Sequence, residues 1–177
     1  ENSNRKDLDK MPTSFSRIKE VEKIKKKSNR EATKKLALFP ALFGEIRQPK
    51  SDYILIPRVS SENRKIIPMA IFPKDEIGGD TCLAIPNATL YHLGILQSTM
   101  HIAWVKNICG RLKSDFRYSN EIVYNNFPWP ATITEKQTKA IESAMQKVLE
   151  TRNEVHDCPL GKMYDNGKIP PKLVKVH

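Results

Sequence analysis

The stretch LYHLGILQSTMHIAWVKNIC, residues 90–109, is apolar on most sides and decides the fold. A stretch of this length and character predicts a buried helix, or two helices that break near Gly94 and Ser98. Gly110 follows directly, and glycine often ends a helix because it adopts backbone angles that other residues avoid. We therefore expect residues 90–109 to form the centre of the core, with the other elements packed around them.

The next stretch, GRLKSDFRYSN at 110–120, alternates charged and apolar side chains. An extended backbone places successive side chains on opposite faces, so the alternation predicts one extended segment with a charged face and an apolar face. The apolar face would carry Leu112, Phe116 and Tyr118. The charged face would carry Arg111, Lys113, Asp115 and Arg117. One acid ordered among three bases indicates a surface that meets an ordered partner.

Two β-branched stretches precede the apolar core, YILIPRV at 53–59 and KIIPMAIF at 65–72. The polar residues SSENR lie between them, which predicts a hairpin of two strands. Pro57 and Pro68 favour an edge position or a bulge, because proline cannot donate a backbone hydrogen bond. TCLAIP at 81–86 is predicted to be a third strand.

Downstream of the core, EIVYN at 121–125 predicts another strand, whereas the two prolines of NFPWP at 126–130 exclude regular structure. TEKQTKAIESAMQKVLETRNE then predicts a helix over 134–153, since Thr134 and Gln137 have the spacing of a capping box. The tail is expected to dock through Leu160, Met163 and Tyr164.

The N-terminal part of the chain is basic and predicts helices. SFSRIKEVEKIKKKSNR at 14–30 spaces its apolar residues as an amphipathic helix does, with Ser14 or Ser16 as its cap. ATKKLALFPALFGE at 32–45 predicts a short second helix that Pro40 ends.

These patterns together predict an α+β fold with three regions. Residues 1–50 form a basic helical segment, residues 51–130 a mixed β recognition body with the buried helix, and residues 131–177 a C-terminal helical arm.

The amino-acid composition of the chain limits the kinds of molecule that it can bind. The chain has 177 residues, 39% of them hydrophobic, and 30 Lys and Arg against 20 Asp and Glu give a net charge of +10. This balance is typical of proteins that bind polyanions. Three cysteines far apart indicate neither a disulfide framework nor a zinc site and favour the cytoplasm, and no stretch predicts a signal peptide or a membrane span. The chain begins without methionine, which suggests a fragment of something larger.

The motifs of common enzyme classes are missing from the sequence. No nucleophile elbow, phosphate-binding loop, dinucleotide fingerprint or His-Glu-x-x-His motif occurs. His92 and His101 are expected to be core or rim residues, and the acids Asp75, Glu76 and Asp80 to form a solvated loop rather than a cation site. We therefore expect no catalytic, cofactor-binding or metal-binding residue in this chain.

The charged stretch at 110–120 fits a role in DNA recognition. Phosphates repel a carboxylate, so Asp115 among three bases is a poor choice for a general backbone clamp. It can accept a hydrogen bond from the amino group of cytosine, or orient Lys113 or an arginine that donates to guanine. Judged from spacing alone, an exposed ion network that contributes roughly 0 to 1 kcal/mol explains the pattern more often. For phosphate contacts, the candidates in and beside the predicted hairpin turn are Arg58, Ser60, Ser61 and Arg64.

A long stretch of the sequence resembles a known family. AIPNATLYHLGILQSTMHIAWVKNICGRLKSDFRYSNEIVYNNFPWP, residues 84–130, is similar to the target-recognition region of the MmeI-like DNA methyltransferases, the type IIL restriction-modification proteins. The similarity extends to LALFPALFGEIRQP, YILIPRVSSENRKIIPMAIF and MYDNGKIPPKL. Members of this family join a nuclease domain, an S-adenosylmethionine-dependent adenine methyltransferase and a recognition domain in one chain.

The resemblance implies sequence-specific recognition of double-stranded DNA. It implies base contacts by the segment KSDFR, which contains Lys113, Ser114, Asp115 and Arg117, and by the loop residues Asp80 and Thr81. Arg111 beside this segment is a further candidate for DNA binding. It also implies that the methyltransferase and nuclease domains of the parent chain are partners, with S-adenosylmethionine and Mg²⁺ as the parent's cofactors.

This chain departs from the family pattern because it lacks the Asn-Pro-Pro-Tyr motif, the glycine-rich cofactor loop and the paired acids of a nuclease. We therefore expect that it has no methyltransferase or nuclease activity of its own. Phe127 or Trp129 could stack on an extruded base, but a rigid corner explains FPWP better. A catalytic methyltransferase fragment fits less well, and a generic basic nucleic-acid-binding or ribosome-associated structural module is the alternative.

Overall fold

The computed structural model describes residues 10–177, which form two compact units divided between Arg47 and Gln48. Helices and two small antiparallel sheets build these units, so the predicted α+β fold is confirmed. Among the described residues, no helix is both long and apolar enough to cross a bilayer.

The first unit is helical, as its sequence predicts. Helix α1 spans Pro12–Lys26 and begins earlier than expected, with Met11 rather than a serine at its N-cap. Proline suits this first turn, where its missing N–H has no partner in the helix to lose. Helix α2 (Glu31–Lys35) continues into a 3-10 turn over Leu36–Leu38, which ends before Pro40.

The first sheet of the second unit has β1 (Tyr53–Pro57) at its centre. It pairs antiparallel with β3 (Ala70–Phe72) on one side and with β4 (Cys82–Pro86) on the other. The prediction of an edge position for this strand is wrong, because Pro57 is its last residue and costs the ladder little. Pro68 lies outside the strands, and β3 is shorter than predicted.

The predicted hairpin between β1 and β3 is also interrupted. After Arg58 the chain forms β2 (Val59–Ser60). This strand belongs to a second sheet with β5 (Gly110–Leu112) and β6 (Asp115–Arg117), in the order β2-β6-β5. One continuous segment therefore joins the two sheets, and Arg58 lies at the junction.

The apolar stretch forms two helices, α3 (Leu90–Leu96) and α4 (Thr99–Ile108). Of the two predicted alternatives, two helices rather than one are therefore found. The break is at Ser98, whose hydroxyl accepts a hydrogen bond from His101 N at 3.2 Å. Gly94 lies inside α3, where a Cβ would come within 2.7 Å of Ile141 Cγ2. Its role is close packing of α3 against the C-terminal helix rather than a break.

The stretch at 110–120 is not one extended segment. It forms a hairpin of β5 (Gly110–Leu112) and β6 (Asp115–Arg117), with Lys113 and Ser114 as a two-residue loop. Lys113 has a φ of 56°, and a positive φ at the first loop residue is what two-residue hairpins require. The alternation in sequence therefore does not continue through Lys113 in space.

The predicted strand at 121–125 is wrong as well, because Asn120–Tyr124 form a single π-helical turn. Ser119 caps this turn, since its hydroxyl accepts a hydrogen bond from Ile122 N at 3.1 Å. The turn buries Val123 completely. NFPWP follows without helix or strand, as predicted.

Helix α5 (Glu135–Asn153) begins at the predicted capping box of Thr134 and Gln137. Two short helices follow, α6 (Leu160–Met163) and α7 (Pro171–Val176). Met163 and Tyr164 are buried, which confirms that the tail docks through them, and Leu160 packs against the same core.

His101 lies in the core, as predicted, with 1% of its surface exposed. Its Nε2 is 3.0 Å from the hydroxyl of Tyr118. Burial lowers the pKa of His101 to about 4 from 6.5, against a smaller opposing effect of the Leu96 carbonyl. The ring is therefore neutral in the folded protein at neutral pH.

This pKa shift predicts acid-sensitive stability. Between about pH 6.5 and pH 4, His101 is protonated in the unfolded chain but stays neutral in the folded protein. The free energy of unfolding therefore falls as the pH is lowered through this range. The contribution of His101 to this loss should be at most about 3.5 kcal/mol, from a shift of about 2.5 pKa units at roughly 1.4 kcal/mol per unit. Urea denaturation between pH 7 and pH 4 should show it. His101→Gln should make the profile less steep and leave the part that comes from His177, whose pKa burial also lowers to about 4. An equally steep profile in that variant would contradict the assignment.

Candidate nucleic-acid interface

The second sheet presents one exposed face. Val59 pairs with Arg117 and Leu112 pairs with Asp115, so all four side chains lie on the same face by strand alternation. Val59 and Leu112 are 40% and 51% exposed, and Arg117 is exposed as well. The opposite face carries Phe116, which is 1% exposed. A small, ordered surface of two apolar and two charged side chains results.

Two predictions about this face are wrong. Leu112 was expected in the interior, and Arg111 on the charged face. Arg111 pairs with Phe116 and therefore belongs to the other side of the hairpin. There its guanidinium lies 4.4 Å from the centre of the Phe116 ring and donates to the carbonyls of Ser114 and Lys106 at 3.0 and 3.2 Å. Arg111 thus supports the hairpin from behind.

The remaining predicted DNA-binding residues lie at the end of the hairpin. They are the two loop residues and Asp115, the first residue of β6. Lys113 and Ser114 are exposed at the tip, and Asp115 is half-buried. One carboxylate oxygen of Asp115 accepts a hydrogen bond from the backbone N–H of Glu62 at 3.3 Å. This bond leaves the second oxygen of Asp115 for another donor.

Within residues 10–177, Lys113, Asp115 and Arg117 take part in no ion pair. The exposed ion network that spacing alone favours is therefore not formed. Lys113 and Arg117 are exposed on an ordered hairpin, and Asp115 is half-buried beside them.

Arg58 and the loop before β4 lie next to this sheet. The backbone N–H of Arg58 donates to the Thr81 carbonyl at 2.9 Å, and its carbonyl accepts from Tyr118 N at 2.8 Å. Arg58 Nε donates to the Cys82 carbonyl at 3.3 Å, while the residue as a whole stays exposed. Asp80 and Thr81 are exposed too. Segments far apart in sequence thus meet at one surface.

Of the candidates for phosphate contacts, Ser60 and Arg64 fit this role poorly. Ser60 is 2% exposed, and its hydroxyl accepts from Arg64. Arg64 has an 18% exposed side chain that pairs with Asp165. Ser61 uses its carbonyl and hydroxyl within the turn, as acceptors for Arg64 N and Asn63 N. Ser60 and Arg64 are thus engaged inside the protein, whereas Ser61 is half-buried and its hydroxyl hydrogen can still donate to a phosphate, so Ser61 stays a candidate.

Phe127 is also unavailable for base stacking. It is 4% exposed and packs edge-on against His101 at 5.0 Å and Trp129 at 5.3 Å between ring centres. Among residues 10–177, no three His, Cys, Asp or Glu side chains are grouped as metal ligands would be.

Comparisons with known proteins match both parts of the chain to one family. Residues 1–131 match the family model described as the MmeI target recognition domain, and residues 133–177 match the MmeI C-terminal domain. The chain belongs to the MmeI family. The resemblance noted from the sequence is therefore confirmed.

Two individual proteins support this membership. DNA methyltransferase A of Bacillus subtilis (strain 168) is 38% identical over 166 residues, which are 94% of this chain and 19% of the relative. The solved structure of the type IIL restriction-modification enzyme MmeI in complex with DNA matches with a TM-score of 0.91 and 39% identity. That match covers 100% of this chain and 24% of the solved chain. The chain thus spans about a fifth to a quarter of these relatives.

Sequence reasoning missed Val59, Leu112 and Glu62 as members of this surface. The first two looked like core residues because they are apolar. Their exposure follows only from the sheet order and the position of the hairpin loop. The contact of Glu62 with Asp115 joins residues 53 positions apart, for which a single sequence carries no signal.

Proposed function

We propose that this chain recognises a specific sequence in double-stranded DNA on behalf of a DNA adenine methyltransferase of the restriction-modification type. The observation that carries the proposal is the ordered hairpin with Lys113, Asp115 and Arg117 at its exposed face and no ion pair among them in the described chain. Support also comes from the family, because the solved relative is a restriction-modification enzyme in complex with DNA.

The hairpin has the shape for reading bases. A two-stranded β-ribbon fits into the major groove of B-DNA, where each base pair presents a distinct pattern of donors and acceptors. Lys113 at the tip can donate to guanine, and Asp115 can accept from the amino group of cytosine. The bond from Glu62 N fixes one oxygen of Asp115 and so orients the other. Arg117, further along the same face, would contact a neighbouring base or phosphate.

Arg58 is the best-placed candidate for a phosphate contact. It is exposed beside Asp80 and Thr81, and backbone hydrogen bonds to Thr81 and Tyr118 fix its position at the junction of the two sheets. The net charge of +10 adds attraction to any duplex. We expect DNA binding by this chain alone to be weak and sensitive to salt.

The rest of the reaction belongs to the proposed parent enzyme. Its methyltransferase domain would use S-adenosylmethionine to methylate adenine N6, and a linked nuclease domain would need Mg²⁺. Both domains would be partners of this chain within one polypeptide in the cytoplasm.

Sequencing the methylated adenines of a host genome tests the proposed function most directly. A single recurrent motif, lost when the gene is deleted, is the expected result. A host with no such motif, in which the parent enzyme methylates no duplex, would refute the proposal. A generic basic module would bind duplexes of every sequence equally and leave no motif.

Arg58→Ala tests the phosphate contact. We expect weaker binding to every duplex by a similar factor, because phosphates carry no sequence information. The slope of log affinity against log salt should become shallower by about 0.9, the value for one phosphate contact. Fluorescence anisotropy from about 50 to 200 mM salt measures both quantities.

Lys147→Ala is the matched control for Arg58→Ala. Lys147 is an exposed cation on α5, which packs mainly against α3 and α7. Its loss should leave the salt slope unchanged. An equal change of slope in both variants would show that the net charge, rather than Arg58, produces the effect.

A further inference from the structure

The exposed face of the second sheet, with Lys113, Asp115 and Arg117, is called the recognition surface below. Arg64 connects this surface to the C-terminal part of the chain. Its guanidinium donates to Asp165 Oδ1 at 2.7 Å and to the Gly161 carbonyl at 3.0 Å. The same side chain donates to the Ser60 hydroxyl at 3.4 Å in strand β2. One arginine thus bridges about a hundred residues of sequence, from the second sheet to helix α6 and the residues after it.

Arg64 also closes the turn that touches Asp115. Its backbone N–H donates to the Ser61 carbonyl at 3.1 Å, which makes Ser61 and Arg64 the first and last residues of a tight turn. Glu62 lies within this turn, and its N–H donates to Asp115 Oδ1 at 3.3 Å. The position of the turn therefore affects which way the Asp115 carboxylate points.

The far end of this connection is anchored in the core. Tyr164, next to Asp165 in sequence, is completely buried. Its hydroxyl accepts a hydrogen bond from Arg152 Nε at 2.8 Å, and Arg152 in turn donates to the Met69 carbonyl at 3.0 Å. The backbone around Asp165 is thus fixed on the same core that supports the two sheets.

We propose that Asp165 and Arg64 are positioning residues for Asp115, so that the C-terminal domain contributes to base specificity without touching a base. Asp165 holds Arg64, Arg64 holds the turn of Ser61–Arg64, and Glu62 in this turn orients the carboxylate of Asp115. This inference rests on the proposed function, because it assumes that Asp115 reads a base.

Neither residue offers a simpler role at the surface. The side chains of Arg64 and Asp165 are 18% and 39% exposed, and each already has its charge partner. A pair that served only stability could join any two surface segments. This pair ends on the one turn whose N–H contacts the Asp115 carboxylate in the described chain.

The test is base discrimination by the full-length parent enzyme. Methylation rates are measured on the recognised duplex and on duplexes changed at each base pair in turn. Asp115→Ala first identifies the pair at which Asp115 acts. Asp165→Asn is then expected to lower discrimination at that pair by roughly threefold to tenfold and to leave the other positions unchanged. In the Asp115→Ala background, Asp165→Asn should have no further effect on discrimination.

Two further variants complete the design. Asp165→Glu keeps the charge and should restore part of the discrimination. Glu154→Gln removes the exposed Lys172–Glu154 pair of the same C-terminal region and should change nothing, since that pair joins the end of α5 to α7.

The outcomes separate the two ideas. If Asp115→Ala changes discrimination at one pair and Asp165→Asn does not, the positioning role is overturned and the proposed function stands. A uniform loss of rate on all duplexes in Asp165→Asn would also overturn it, because that is the mark of a purely structural residue. If neither variant changes discrimination at any pair, base reading by Asp115 itself is wrong.

Discussion

Arg152→Met is expected to lower the free energy of unfolding by about 3 kcal/mol. The arginine is 6% exposed, so its charged group lies almost entirely inside the protein. Methionine keeps much of the aliphatic volume but removes every donor of the guanidinium. A hydrogen bond to a charged group typically contributes about 1.5 to 3 kcal/mol.

The size of the effect follows from the acceptors that Arg152 serves. It donates to the Met69 carbonyl, to Gln97 Oε1 and to the Tyr164 hydroxyl, all of them within the core. Gln97 is 6% exposed and Tyr164 is completely buried, so water cannot replace the lost donor without opening the structure. Gln97 Oε1 loses its donor, and a buried polar group left without a partner costs about 1 to 3 kcal/mol. The Met69 carbonyl keeps its bond from Gln97 Nε2, and the Tyr164 hydroxyl keeps its bond with His177 Nε2.

Chemical denaturation of the variant and of a control measures this cost. Lys147→Met makes the same kind of change at an exposed position of α5, where surface substitutions usually stay within about 0.5 kcal/mol. A loss of less than about 1 kcal/mol in Arg152→Met would mean that the network of Arg152 contributes little.

Arg152 also shows what the sequence could predict. Helix α5 was predicted from the capping box of Thr134 and Gln137, and the capping box was found. The pattern marks Arg152 as one more charged residue near the end of a basic helix. Its burial depends on Met69 and Gln97, which come from distant segments and complete the site only after folding.

The recognition surface, too, was predictable from the sequence only in part. Local patterns predicted strands β1 and β4, helices α3 and α4, and exposed charges at 113–117. The predictions from local patterns were wrong where a single residue starts a turn. Lys113 turns a predicted extended segment into a hairpin, and Ser119 caps a helical turn where β-branched residues favoured a strand. Long-range contacts, such as that of Arg64 with Asp165, have no local pattern at all.

Exchanging the charges of the hairpin, as Lys113→Glu with Asp115→Arg, is expected to change the recognised sequence. If Lys113 and Asp115 read opposite edges of one base pair, the double variant should prefer C·G where the parent enzyme prefers G·C. Each mispaired contact costs roughly 1 to 3 kcal/mol, which separates the two sequences clearly in a methylation assay. Discrimination at the other positions of the site should stay as it is.

The geometry of the hairpin makes the exchange practicable. Lys113 is exposed in the loop, where glutamate meets the same backbone angle as lysine. Asp115 occupies a strand position that pairs with the exposed Leu112, so a longer side chain has room. The exchange gives up one bond, from Glu62 N to the carboxylate.

The single variants and an alanine pair decide between recognition and a surface ion network. In recognition, each single variant should be worse than the double, because one charge then faces the wrong edge without its partner. Replacing both residues by alanine should weaken discrimination at that base pair and leave neither G·C nor C·G preferred. An ion network would instead keep the original specificity in the double variant, and alanine would cost little. Since Lys113 and Asp115 form no ion pair within residues 10–177, the first pattern is the expected one. Methylation of the original site by the double variant would remove both residues from base reading and leave Arg117 as the remaining charged candidate on that face.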